Sequence, residues 1–514
     1  MAEPVHVPAG VDPFAPMPAP ITDPTLGIEV APADTWRVPN HRIVGIGDSL
    51  TSGFASGAQT DGQWSYLAIA ARALGAPLDT PQFDLPGAPF GGVPVDLERL
   101  IRAAQEHFGD RISLLELPFV GVWVQRALDK HEAFWEQHPD EVLQGPGFIP
   151  KVLAVFGFTL RDVRAKNADT ARQALTQPKD NLLVEFPEHT EEIGTIRILD
   201  DARAANGDAL SQVEAAKALG ADGGIGTLVS FIGANDYLAT MTDLQLRWSD
   251  EDPEHPTAKT PADFIAELEH YVAELEQIDA NQVVLVTLPH VTVPPIAKGV
   301  GDRLSERSRY FEYYTRPWIR ERSFNPKFDP HITGEEARVI DAAIDEANRA
   351  IVDVVRRQRE AGRDWRVLDA CSLLDGVAQK RYLQQPATME RHGIEPYPLP
   401  DAIAALDPVP NTNFYAANAE GRHDGGFFSL DGIHPTRIAH GILAQELLHA
   451  IGSTATIDFD QLVLDDPLIV DPPALFDSAL HRVAPFAKLF ERGLKVFRRE
   501  PVSIHRFERS GPQR

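Results

Sequence analysis

Residues 41–55 read HRIVGIGDSLTSGFA. A short apolar run ends at Gly47, and Asp48, Ser49 and Leu50 follow at once. Such a stretch has three readings: a plain strand-to-helix turn, a phosphate cradle, or a turn that exposes a nucleophile. Gly45 and Gly47 begin a G-x-G-x-x-G pattern, but Leu50 stands where the third glycine belongs, and no P-loop lysine follows. The phosphate readings are therefore weak, and the rest of the chain has to decide between the other two.

Outward from this stretch, further β-type apolar runs recur at wide spacing: GTLVSFIG (226–233), QVVLVTL (282–288), WRVLDA (365–370) and a weaker TIRILD (195–200). Their near-continuous apolar character suits strands buried on both faces, as in a parallel sheet. Between them QWSYLAIAARALG (63–75), ADFIAELEHYVAELEQI (262–278) and residues 335–362 repeat apolar positions at three and four, the helical period. In PTRIAHGILAQELLHAIG (435–452), Ile438, Ile442, Leu443, Leu447 and Ile451 share one stripe, with Pro435 at its start and Gly452 at its end. Alternating strands and helices predict a doubly wound α/β sheet.

Two long segments, about 80–190 and 375–428, break that alternation and are expected to cap the sheet as insertions. Residues 1–40 hold nine prolines and no periodicity, which predicts an extended arm or wrapping strap. The expected division is an arm (1–40), a main domain (41–452) and a C-terminal extension (453–514).

The chain has 514 residues, a formal charge of −27, 43% apolar and 24% charged residues. This is an ordinary globular composition, and the acidity gives a nucleic-acid partner no electrostatic help. The single cysteine, Cys371, excludes an internal disulfide and a cysteine-based metal site. No run of about 18 apolar residues occurs, so no spanning helix is expected. The first residues lack the charged and apolar regions of a signal peptide. A signal already removed is compatible with that, so cytoplasmic and secreted locations both stay open, as does the oligomeric state.

Chemistry enters with two further stretches. FIGANDYL (231–238) leaves a strand through glycine and presents Asn235 and Asp236; SLDGIHPT (429–436) places Asp431 and His434 three residues apart before a helix. Singly, each has a bland reading, as a helix cap or a capped loop. Together with Ser49 they lie where open α/β sheets bind ligands, and they supply a serine, a histidine, an acid and an amide donor, the inventory for acyl transfer.

Three blocks, GDSL (47–50), GAND (233–236) and DGIHP (431–435), resemble those of the SGNH or GDSL hydrolases, a family of serine esterases and lipases. The resemblance implies a flavodoxin-like three-layer α/β/α fold around a mostly parallel five-stranded sheet, here with large cap insertions. It implies Ser49 as nucleophile, His434 as base and Asp431 as its orienter, with no cofactor and no metal. The oxyanion donors would be the Ser49 and Gly207 backbone N–H groups and the Asn235 amide. Gly207, in RAANGDALSQV (203–213), stands for the least distinctive block, and Gly87 and Gly92 are alternatives. Expected activities are esterase, lipase, thioesterase or carbohydrate O-acetylesterase on a small-molecule or lipid ester. A binding module with relic residues is the reading from a different class.

Other motifs read blandly. HEAFWEQH (131–138) begins like H-E-x-x-H but spaces its histidines by seven, and is expected to be a solvated helix face. His423 beside Asp424 is expected to make a loop hydrogen bond rather than line the site mouth, and His290 reads equally blandly. SLLELPFVGVWV (113–124) and VLAVFGF (152–158) suit an acyl groove or cap core alike. Residues 481–500 are basic with an apolar helical stripe, expected to dock on the acidic body, with membrane-surface contact the alternative.

Overall fold

The computed structural model describes residues 5–31, 38–113, 115–138, 148–175 and 189–477. Its centre is a parallel sheet of β1 (His41–Gly47), β2 (Ile225–Phe231), β3 (Ala280–Val286) and β4 (Trp365–Leu368), side by side in that order. These four strands coincide with the four stronger apolar runs. The helices that frame them are α1 (Ser49–Ser52), α2 (Tyr66–Ala73), α3 (Gln212–Ala221), α4 (Asn235–Asp243), α5 (Pro261–Leu275), α6 (Gly334–Glu360), α7 (Ala370–Val377) and α8 (Arg437–Ala450).

Alternation along each strand explains why both faces are covered. Val283 and Leu285 belong to one core cluster with residues of α3, α5 and α6, whereas Val284 and Val286 join α2 and α8 in another. Successive side chains point to opposite faces, so a run apolar at every position needs helices on both. Helix starts follow local chemistry: Ser65 caps α2, Thr260 and Pro261 open α5, and Thr333 with Glu336 forms a capping box on α6.

The weak fifth run does not join the sheet. All of TIRILD but its last residue, the cap Asp200, lies within a helix, Thr190–Leu199, which buries Ile193, Ile196 and Leu199 at a spacing of three. Two glutamates in its first turn favour the helix dipole. The place beside β1 is instead taken by residues 151–155. Gly45 N donates to Lys151 O at 2.8 Å, Leu153 N to Gly45 O at 2.9 Å and Val155 N to Gly47 O at 3.3 Å, with a parallel bridge between Gly45 and Val152. Part of the first expected insertion is thus sheet. The VLAVFGF stretch belongs to that edge and to the core, where Leu153, Val155, Phe156 and Phe158 are fully buried.

At the opposite edge a strap covers β4. Val367 N donates to Pro24 O at 3.0 Å, Ile21 N to Asp369 Oδ2 at 2.9 Å and Arg359 Nε to Ile28 O at 2.8 Å. The proline-rich arm therefore meets strand groups that an open edge would expose. Past α8, Leu462 packs beside that helix, and Leu468, Leu475 and Phe476 join the cluster around Leu97–Phe108 and Leu117–Gln137. That last helix buries His131 and Trp135 completely, so HEAFWEQH is not a solvated face. The basic stretch 481–500 lies outside the described residues. No helix among the described residues is long and apolar enough to cross a membrane.

Candidate active site

Ser49 stands first in α1, directly after β1, and Asp48 caps that helix through Leu50 N at 3.0 Å. The turn is tight. A Cβ on Gly47 would come within 2.6 Å of Phe231 O on the neighbouring strand, so only glycine fits there. Gln212, the first residue of α3 and fully buried, grips the same residue twice: it accepts from Gly47 N at 3.0 Å and donates to Gly47 O at 3.1 Å. Sequence reasoning missed Gln212. Its signal was S-x-x-E at Ser211–Glu214, the capping box that fixes where α3 begins.

The adjacent strand delivers Asn235. Gly47 and Phe231 are partners in the β1–β2 register, so the loops that follow emerge side by side. Asn235 opens α4 without capping it; its Nδ2 instead donates to Phe158 O at 2.8 Å. Asp236 next to it is buried, accepts from Leu160 N at 3.0 Å and pairs with Lys259 Nζ at 3.0 Å. Both residues thereby fasten the 156–160 turn to the start of α4.

Asp431 and His434 share one compact turn. Asp431 Oδ1 accepts from Ile433 N at 2.8 Å and His434 N at 2.9 Å, while Oδ2 faces His434 Nδ1 at 2.9 Å. Oδ2 also accepts from Gly57 N at 2.9 Å, and Ser56 N donates to Ser429 Oγ at 2.8 Å. These bonds tie the turn to the loop that leaves α1. Phe54 completes the link, its ring 4.5 Å from that of His434. Burial pushes the Asp431 carboxyl up, but the charge of His434 and the donated N–H groups hold it below the usual carboxylate range.

Ser49, Asn235 and His434 line a single cleft enclosing about 970 Å³ of free space, open mouth included. Of its twenty-two lining residues only these three and Asp48 carry polar side chains. Asp48 is buried, and its second carboxylate oxygen meets no donor among the described residues. Burial, with a smaller push from Asp236, raises it to about 7.

Gly207 is not among these residues. It sits exposed in a turn at φ +90°, with its N–H donated to Ala204 O at 2.8 Å. The assignment to Gly207 is corrected: the strand it was meant to follow is a helix, and its amide is already used. Gly87 and Gly92 do not line the cleft either. Gly157 does not line the cleft either, but it follows a sheet segment, at φ +81°, between the edge beside β1 and the Phe158 carbonyl that Asn235 holds.

A second aspartate–histidine arrangement lies behind the cleft wall. His290, between the lining residues Pro289 and Val291, is fully buried with Nδ1 3.0 Å from Asp375 and Nε2 3.1 Å from Asp345. Arg381 pairs with Asp341 at 2.9 Å, and Arg309 lies 3.9 Å from Asp345. With His290 protonated, three carboxylates face three cations. Burial alone would depress the imidazole, but Cys371 and the aspartates Asp375, Asp341 and Asp345 around it carry it well above its ordinary value. His290, Asp345 and Cys371 are close enough to hold a metal ion. To do so His290 would have to surrender the carboxylate bond at its ligating nitrogen, and burial pushes the Cys371 thiol up to about 12. His423, on a hairpin away from the cleft, meets Asp477 at 2.7 Å.

No protein-family model matches the chain, and no curated protein matches it.

Proposed function

We propose that the protein is a serine hydrolase of the SGNH type that cleaves carboxylic esters through an acyl-enzyme. One observation carries this reading: Ser49, Asn235 and His434 line one cleft, with Asp431 2.9 Å behind His434 Nδ1. A serine hydroxyl is a weak nucleophile and needs a base. His434 takes the Ser49 proton as Oγ bonds to the ester carbon, then passes it to the departing alcohol. Water repeats the sequence and frees the acid. Asp431, held ionised by its donors, keeps Nδ1 protonated and stabilises the imidazolium.

The oxyanion needs donors placed before the reaction. The Ser49 N–H and the Asn235 amide are two of them. Gly157 replaces Gly207 as the third, because its turn lies between the edge of β1 and the carbonyl bonded by Asn235.

A fluorophosphonate probe tests the reading directly. The folded protein should gain one covalent adduct on Ser49, none in Ser49→Ala, and it should hydrolyse p-nitrophenyl acetate. A folded protein that neither labels at Ser49 nor turns over any aryl ester overturns it.

A further inference from the structure

The cleft is polar at one end only. Its polar side chains come from the loops after β1 and β2 and from the 431–434 turn. The loop after β3 contributes Pro289, Val291 and Pro294, and α7, following β4, contributes Leu373, Leu374 and Val377. Since the strands lie in the order β1, β2, β3, β4, the cleft runs along their carboxyl ends from the reacting groups to a wholly apolar end. Three strand spacings make that a distance of roughly 14 Å. Ile442 and Leu443 of α8, both buried in the core, add to the apolar lining.

Such a slot suits a ligand with one reactive polar group and a long apolar tail. We infer that the cleft binds the acyl chain of a medium-chain fatty ester, octanoyl in size, and that Val377 and Leu374 set the length it accepts. This inference rests on the hydrolase reading. The chain belongs to the acyl rather than the alcohol side for a chemical reason. The alcohol must leave before water attacks, whereas the acyl group stays on Ser49 through both steps, so a slot ending in core side chains fits the part that remains.

Burial of each methylene should raise kcat/KM by about fourfold until the slot is full. The test is a p-nitrophenyl ester series from acetate through butyrate and octanoate to palmitate, run on the wild type and on Val377→Trp. Val377 is half-buried on α7 and outside the reacting groups, so a larger ring fills the slot without entering the core. The wild type should rise steeply to octanoate and fall at palmitate. Val377→Trp should lose the octanoate advantage, so that octanoate is cleaved no faster than butyrate, and Leu374→Phe serves the same purpose if the tryptophan variant does not fold. A flat series with acetate cleaved normally overturns the inference and leaves the hydrolase reading intact. A preference for octyl acetate over p-nitrophenyl octanoate overturns the acyl assignment. Absence of turnover on every ester, with no fluorophosphonate adduct, overturns both.

Discussion

His434 and His290 are both buried imidazoles with an aspartate about 3 Å from Nδ1, at 2.9 and 3.0 Å. They differ at the other nitrogen. Nε2 of His290 meets a second carboxylate, Asp345, and two guanidiniums complete a neutral cluster around it. An imidazole with acids at both nitrogens donates twice and is fixed as a cation, so it cannot take a proton. His434 meets Asp431 at Nδ1, and its ring lines the cleft that Ser49 also lines. In the proposed reaction the acid beside His434 orients a base, whereas acids on both sides of His290 make a structural ion. An aspartate near a histidine is therefore no sign of catalysis until the second nitrogen is accounted for.

Mutating the two sites should separate these roles, and the largest effect belongs here. Asp431→Asn should lower kcat by about 10⁴, because the wrong tautomer is held, at a smaller cost of about 1–3 kcal/mol for the Gly57 N–H left without its carboxylate oxygen. His290→Ala should do the reverse. It leaves two buried carboxylates facing each other and costs about 3–5 kcal/mol of stability, while turnover per folded molecule persists. If Asp431→Asn loses stability and keeps its rate, the roles have been assigned the wrong way round. The next effect in size is that of Asn235→Ala, expected to lower kcat by about 10²–10³ and to change KM less. A change in KM alone would make Asn235 a substrate contact.

How much of this was legible differs between the same two regions. The strands at 42–47, 226–233, 282–288 and 365–370 announce themselves because burial on both faces demands uninterrupted apolar residues. Ser49, Asn235 and His434 were visible because each follows directly on a strand or precedes a helix in a short polar break. The edge segment 151–155 was hidden, since it lies about a hundred residues after β1 among helices and carries no polar landmark of its own. TIRILD misled for the opposite reason: its β-branched residues suit a strand locally, but the edge beside β1 was already filled. Gly207 fell with it. The His290 cluster was illegible because its members, Asp341, Asp345, Asp375, Arg309 and Arg381, meet only through tertiary packing.

The glycine correction can be sharpened by a matched pair. Gly157 and Gly207 stand at φ +81° and +90°, so an alanine at either pays a similar backbone strain of about 1–2 kcal/mol. Gly157→Ala should in addition lower kcat by at least about tenfold, by shifting the proposed oxyanion donor. Gly207→Ala should leave kcat unchanged. Equal kcat in the two variants would remove Gly157 from the oxyanion hole.

The smallest effect concerns Asp48, a buried acid with no histidine at all. Its folded value of about 7 lies above the usual 3.8, so the folded protein holds a proton that the unfolded chain releases. Stability from this group is present below about pH 4 and declines as pH rises through 7, by up to about 1.4 kcal/mol for each pH unit. The half-buried cap Asp96 and the buried cap Asp466, raised to about 7 and about 6 by desolvation, slope the same way, so the wild-type profile contains all three. Asp48→Asn keeps an oxygen for Leu50 N but cannot ionise. Urea midpoints measured between pH 5 and pH 8 should therefore fall less steeply in Asp48→Asn than in the wild type, with part of the slope retained through the other two caps. Parallel slopes would mean that Asp48 ionises freely in the fold, and that solvent reaches the polar end of the cleft.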